Sequence, residues 1–176
     1  MPSASLAERR SAANGAFSGA ALFVALIITF SIVGDGDQPA RVRLVIGVFG
    51  ALSHLALLPV VAALPAPAWA QACGYMWIGI DVMLNVAAIN GADAGVVTAL
   101  RLGGHVPAAL WIAVAARGPG GAVGVVGVVL GALLMGHAFV SQWLPPWVLF
   151  IPFVLIPVWL VLVGRWLSRT PADRPA

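Results

Sequence analysis

Long apolar runs dominate this chain, and their length constrains its fold more than any other feature. Six segments of about 20 mostly apolar residues follow one another, and a helix of that length crosses ~30 Å of hydrocarbon. The predicted spans are about 14–34, 43–64, 67–90, 96–116, 120–143 and 146–166. The sequence therefore predicts an all-α, polytopic integral membrane protein built as a six-transmembrane-helix bundle.

The composition agrees with a lipid surrounding. Charged residues make up 9% of the 176 residues, whereas soluble domains carry about 25%. The predicted partner is therefore the lipid bilayer. All nine basic residues are Arg, scattered between apolar segments, so the basic charge does not predict a nucleic-acid partner. The absence of Lys indicates a GC-rich bacterial genome. Cys73 is the single cysteine, which excludes an intramolecular disulfide and any CxxC motif.

The arginines predict the orientation of the bundle. An even number of spans places both termini on one side, and the positive-inside bias assigns the Arg-rich side to the cytoplasm. Arg41 and Arg43 lie on the opposite side. The termini side holds Arg9, Arg10, Arg117, Arg165, Arg169 and Arg174. We therefore expect a bacterial cytoplasmic (inner) membrane protein with both termini cytoplasmic. Its predicted parts are a cytoplasmic segment 1–13, a transmembrane domain 14–166 and a cytoplasmic tail 167–176.

The fifth span carries a stripe of small residues on one helical face. Gly120, Gly124, Gly127 and Gly131 are spaced by four, three and four residues, which keeps them aligned. Such a stripe lets a neighbouring backbone approach closely. Two interpretations are open, a contact within the bundle or an interface with a second copy or another membrane protein. The first is favoured because six helices offer many internal neighbours.

A cluster of polar and ionisable residues interrupts the apolar sequence of the third and fourth spans. Asp81 and Asn85 share a face of the third span, and Arg101 and His105 share a face of the fourth. Charges at the bilayer centre cost about 2.5–3.5 kcal/mol each and commonly mark functional sites. Counted from the connecting turn, Asp81 and His105 lie about 14 Å deep, and Asn85 and Arg101 about 7–8 Å deep. The predicted contacts are therefore Asp81 with His105 and Asn85 with Arg101.

Two further histidines extend the candidate site. His54 on the second span lies close to the depth of Asp81, whereas His137 on the fifth span is shallower. Imidazole suits zinc, iron and copper, so His54, His105 and His137 are weak candidates for a metal or haem site. These histidines show no HExxH or other local ligand spacing. The sequence does not assign a cofactor.

Interior prolines predict kinks in two spans. Pro59 interrupts the second span, and Pro152 and Pro157 lie in the sixth. Transporters use such breaks for gating or ion sites, although proline is also frequent in membrane helices generally.

Three functions are compatible with these patterns. Buried Asp and His often form proton relays, which favours proton-linked or small-solute handling. A metal- or haem-binding membrane enzyme or redox protein is the alternative. A non-catalytic structural or partner subunit is the third, with the polar contacts only holding two helices in register. The sequence contains no GxSxG, phosphate loop or nucleotide motif, so it assigns no catalytic residue and leaves open whether the protein is an enzyme.

Overall fold

The computed structural model describes residues 5–33 and 39–169, and these residues form helices joined by short connections. The all-α prediction is confirmed. A short 3-10 turn at Ser141–Trp143 follows the sixth helix. The helices are α1 Leu6–Val33, α2 Ala40–Leu55, α3 Leu58–Ala63, α4 Ala68–Ile89, α5 Ala94–Ala115, α6 Gly121–Val140 and α7 Pro146–Ser168.

Six helical units are long and apolar enough to cross a membrane, counting α2 and α3 as one unit. Their bounds follow the predicted spans within a few residues, except that α1 begins at Leu6 rather than near residue 14. The structure is therefore compatible with the predicted six-helix membrane bundle. Most of the predicted tail and the connection between the first two predicted spans lie outside the described residues.

The helices form a closed ring in chain order. Each unit packs against the units before and after it in sequence, and α7 returns to pack along α1. Successive units run in opposite directions, so one end of the ring holds the start of α1 and the end of α7. We call this the terminal end, and the other, where α4 ends and α5 begins, the turn end. Asp93 caps α5 at the turn end, as its Oδ1 accepts a hydrogen bond from the Val96 N–H at 2.9 Å.

The glycine stripe of α6 is used inside the chain. A Cβ atom on Gly127 would lie 2.6 Å from Trp159 Nε1 of α7, and one on Gly131 would lie 2.9 Å from the Ala109 carbonyl of α5. Gly124 also faces α5, whereas Gly120 has open space around it. Close packing within the bundle therefore accounts for most of the stripe. Association with another copy through these glycines stays a prediction.

The second unit is interrupted close to the polar residues. Its helix stops at Leu55 and resumes at Leu58, with Pro59 in the first turn of α3. Proline has no N–H to donate to the carbonyl four residues earlier, which favours such an interruption. Pro152 and Pro157 instead lie inside α7. The break at Pro59 agrees with the prediction and leaves His54 in the last turn of α2.

Candidate functional site

Polar side chains from α2, α4 and α5 meet inside the ring, nearer to its turn end. Arg101 joins them with its side chain about one third exposed. The buried polar residues of the described part of the chain are Ser53, His54, Asp81, Asn85 and His105. The predicted polar residues thus lie in one region of the fold, although some of their contacts differ from the prediction.

Asp81 is the centre of the cluster, and its carboxylate contacts the His54 ring and the Arg101 guanidinium. Its Oδ2 lies 3.4 Å from His54 Nε2, and its Oδ1 lies 3.2 Å from Arg101 Nε. The predicted Asp81–His105 contact is therefore wrong. Asp81 instead faces His54 of α2 and Arg101 of α5. Asp81 is 2% exposed, so its charge depends on these partners for compensation.

Asn85 and Arg101 are hydrogen bonded as predicted. The Arg101 Nη2 atom donates to Asn85 Oδ1 at 3.3 Å. The Asn85 amide nitrogen donates to the backbone carbonyl of Asp81 at 2.8 Å, one turn earlier in α4. This second bond turns the amide oxygen toward Arg101. Gly50 of α2 lies directly against Asn85, where a Cβ atom would come within 2.5 Å of Oδ1.

The orientation of His54 determines where its proton lies. Its Nδ1 is 2.7 Å from the Gly50 carbonyl, which also accepts a 2.8 Å hydrogen bond from the Ser53 hydroxyl. A carbonyl only accepts, so this contact assigns a proton to Nδ1. In the neutral ring Nε2 would then present a lone pair toward Asp81. A proton between Nε2 and Asp81 Oδ2 removes the conflict between two acceptors, whichever atom carries it.

His105 and His137 form a second pair beside the first. Their rings stack with centroids 5.1 Å apart and planes inclined by 29°. Neither ring makes a hydrogen bond to a described residue, and the Nδ1 atom of each is buried without a partner. A buried polar atom left unpaired costs about 1–3 kcal/mol, so this pair needs a physical explanation. The sequence had assigned His137 only a weak role.

Two neighbouring spaces surround these side chains. An inner cavity of about 60 Å³ borders the His54–Asp81 pair and is roomy enough for water, which needs about 10–15 Å³. A second space of about 320 Å³, here called the vestibule, lies toward the turn end. Arg101, His105, His137 and Phe153 line both spaces. These four residues therefore stand between the vestibule and the proton-holding pair.

Sequence reasoning missed several vestibule residues. Thr98 was detectable, because it lies three residues before Arg101 and seven before His105 on the same face of α5. Ser141, Gln142 and Phe153 also line the vestibule. These three belong to the 3-10 turn and α7, and no periodic pattern connects them with α5.

Aromatic packing closes the inner cavity toward the terminal end. Phe23 and Trp77 each make a T-shaped contact with the His54 ring, at centroid distances of 5.3 and 5.2 Å. Trp77 then packs on Trp111, and Trp111 on Trp159. The three tryptophans are at most 3% exposed. The cavity is thus bounded on this side by a buried aromatic layer.

The histidines do not share one metal-ligand cluster. His54 is paired with Asp81 and His105 with His137, and within residues 5–33 and 39–169 no three His, Cys, Asp or Glu side chains are grouped to hold a metal ion. The weak metal hypothesis stays a prediction for which metal analysis of the purified protein is the direct measurement.

Comparison with known proteins adds no relative to this picture. No family model, curated protein or solved structure matches this chain. Function therefore has to follow from the geometry of the site.

Proposed function

We propose that this chain is a multi-pass bacterial inner-membrane protein, with both termini cytoplasmic, that couples proton binding at the His54–Asp81 pair to the movement of a small solute. The composition, the six apolar helices and the distribution of arginines support the membrane setting. In this orientation the vestibule opens toward the outer side and the aromatic layer lies toward the cytoplasm.

The observation that carries the proposal is the constrained geometry of His54. The Gly50 carbonyl takes the proton on Nδ1, so the 3.4 Å contact between Nε2 and Asp81 requires one further proton to be favourable. Loss of that proton leaves two acceptors facing each other in a buried site. Proton occupancy is thereby linked to the position of the His54 ring.

The surroundings of the pair favour proton exchange with one side. The inner cavity is large enough for water beside Asp81, and water supplies a route for protons. Arg101, His105 and His137 connect that cavity with the vestibule. Buried ionisable residues that face a cavity inside a membrane bundle commonly form proton pathways.

The helix break next to His54 offers a place for movement. His54 lies in the last turn of α2, directly before the interruption that ends at Leu58. Interrupted membrane helices are typical of transporter sites, because their end residues absorb changes in backbone direction. Gain or loss of the proton on the His54–Asp81 pair can therefore move the end of α2 with little disturbance of α3.

Proton flux in proteoliposomes tests this function. We expect internal pH to respond to an imposed gradient of a small solute, in a panel that includes anions, cations and neutral compounds. Asp81→Asn removes the carboxylate that shares the proton, so the solute-dependent flux should fall to the level of empty liposomes. Asp93→Asn is the matched control, because Asp93 lies in an exposed turn and Asn caps helices as well as Asp does.

Two different results would contradict the proposal. A folded Asp81→Asn protein that retains the wild-type flux would contradict a role for the pair in proton coupling. Wild-type protein that moves no proton with any member of the panel would contradict the transport function itself. A variant that cannot be purified is replaced by His54→Gln, which tests the other partner of the same proton.

A further inference from the structure

We infer that the vestibule binds a small monovalent carboxylate anion, which is the solute that accompanies the proton. This inference rests on the proposed proton-linked function and adds the chemical class of its substrate. The carboxylate would lie beside Arg101, His105 and His137, at the entrance to the inner cavity.

The charge of the vestibule wall favours an anion. Among the described residues, its lining contains Arg101, His105 and His137 and no carboxylate. The remaining polar groups are the side chains of Thr98, Ser141 and Gln142, each of which can donate a hydrogen bond to an anion as well as accept one. Asp81 lies behind this wall, with its oxygens directed to His54 and Arg101. A cation would meet repulsion here, whereas an anion would meet donors and positive charge.

Arg101 retains donors for a ligand. A guanidinium carries five N–H groups in a fixed plane. The structure directs its Nε toward Asp81 and one Nη2 hydrogen toward Asn85, both on the side that faces α4. The side chain is about one third exposed and lines the vestibule. Its remaining donors are therefore suited to a charge-assisted hydrogen bond with an oxyanion.

The two stacked histidines give an independent observation that a ligand is expected. His105 is 9% exposed, and its ring lacks a hydrogen bond to any described residue, as does the ring of His137. Both rings line the vestibule and the inner cavity. An anion with oxygen acceptors would satisfy ring donors and would also relieve repulsion if either ring gained a proton.

The size and polarity of the space favour a small organic anion. A volume of about 320 Å³ is at the lower end of ligand pockets, which span roughly 300–1,000 Å³. Leu102 and Phe153 contribute an apolar part of the wall. A carboxylate with a short hydrocarbon body would contact both the donors and this apolar part, whereas chloride or phosphate would contact only the donors.

The position of the anion explains how it would couple to the proton. The Arg101 side chain faces the vestibule on one side and Asp81 on the other. An anion bound near Arg101 therefore competes with Asp81 for the positive charge of the guanidinium. That competition favours a proton on the His54–Asp81 pair. One proton and one monovalent carboxylate carry no net charge together, so both could move without opposing the membrane potential.

Binding measurements on the purified full-length protein test the inference without transport. We expect saturable binding of propionate by isothermal titration calorimetry, and binding of the isosteric neutral propionamide to be roughly tenfold weaker or undetectable because it lacks the charge. Arg101→Gln should weaken propionate by a similar factor. Arg117→Gln is the matched control, because Arg117 is exposed and lies at the terminal end of α5.

Several outcomes would overturn the carboxylate assignment. Equal affinity for propionate and propionamide would show that charge is not recognised, and this comparison needs no variant. Tighter binding of chloride or phosphate than of propionate would indicate an inorganic anion. Loss of propionate binding on addition of phosphatidylglycerol would indicate a lipid phosphate. If Arg101→Gln does not fold, Thr98→Val with His137→Gln should weaken propionate, and unchanged affinity in that pair would contradict the site.

The inference and the proposed function fail differently. Proton flux driven only by a cation or a neutral solute would retain the proton-coupled function and overturn the anion. Propionate binding with no proton flux would retain the anion site and overturn the coupling.

Discussion

Gly50 shows how one residue positions the charged cluster. It has two structural roles, since its carbonyl orients His54 and its missing side chain leaves room for Asn85. Asn85 in turn supports Arg101, which lies against Asp81. Together with Gly47, which packs on Ile89, Gly50 thereby allows the close approach of α2 to α4 that brings His54 to Asp81.

Substitution of Gly50 should expose this role. Gly50→Ala places a Cβ atom about 2.5 Å from Asn85 Oδ1, so Asn85 must move or the helices must separate. Overpacking of this kind costs about 1–3 kcal/mol, and we expect a lower Tm together with reduced proton flux. Gly79→Ala is the control, because no atom lies within 4 Å of its added Cβ. Thermal unfolding of both variants in the same detergent makes the comparison, and equal Tm values would contradict the close contact.

The pairing of Asp81 illustrates what depth alone predicts. Spacing along α4 and α5 correctly placed Asn85 beside Arg101. The same spacing predicted the wrong partner for Asp81, because His54 of α2 contacts its carboxylate instead. Residue height follows from counting along the chain, whereas the choice among neighbours at one height depends on helix rotation.

At the scale of elements, the contact between α1 and α7 closes the ring. Arg9 of α1 donates hydrogen bonds from Nη2 to the carbonyls of Leu167 at 3.0 Å and Arg169 at 2.8 Å. These carbonyls belong to the end of α7, where no later turn supplies donors. Its guanidinium also lies 5.8 Å from the ring centroid of Trp166. Arg9 therefore caps α7 from another helix.

Removal of this cap should loosen the terminal end. Arg9→Gln loses the charge and at least one of the two hydrogen bonds, and we expect a destabilisation of about 1 kcal/mol because the contact is partly exposed. Hydrogen exchange of the last turn of α7 should become faster. Arg10→Gln is the control on the adjacent, exposed residue. Similar exchange in both variants would show that Arg9 has no special part in closing the ring.

At the scale of the whole molecule, the two ends of the ring differ in chemistry. The turn end contains the vestibule with its basic lining. On the terminal side Trp77 lines the cavity, and Trp111 and Trp159 pack behind it. This asymmetry gives the proposed pathway one open side in the described structure. Orientation in the membrane then decides which compartment the vestibule meets.

Cysteine labelling in intact cells tests the proposed orientation. In a Cys73→Ala background, Ala92→Cys places a thiol at the turn end and Arg117→Cys places one at the terminal end. With cytoplasmic termini, an impermeant maleimide should label position 92 in intact cells and position 117 only after lysis. The reverse pattern would invert the topology and direct the vestibule toward the cytoplasm.

The sequence by itself determined the six membrane-length helical units and their approximate bounds. These properties depend on local composition and on the fixed rise of a helix, so they can be counted along the chain. The break at Pro59 and the cap at Asp93 were predictable for the same reason, since both depend on neighbouring backbone groups.

Only the tertiary structure decided that Asp81 pairs with His54 and Arg101, that His105 stacks on His137, and that a vestibule joins them to one end. Each of these depends on how six helices rotate about their axes as they close into a ring. Rotation is set by packing between distant segments, such as Gly50 against Asn85 and Gly127 against Trp159. The depth pattern limited the possible partners, and packing selected among them.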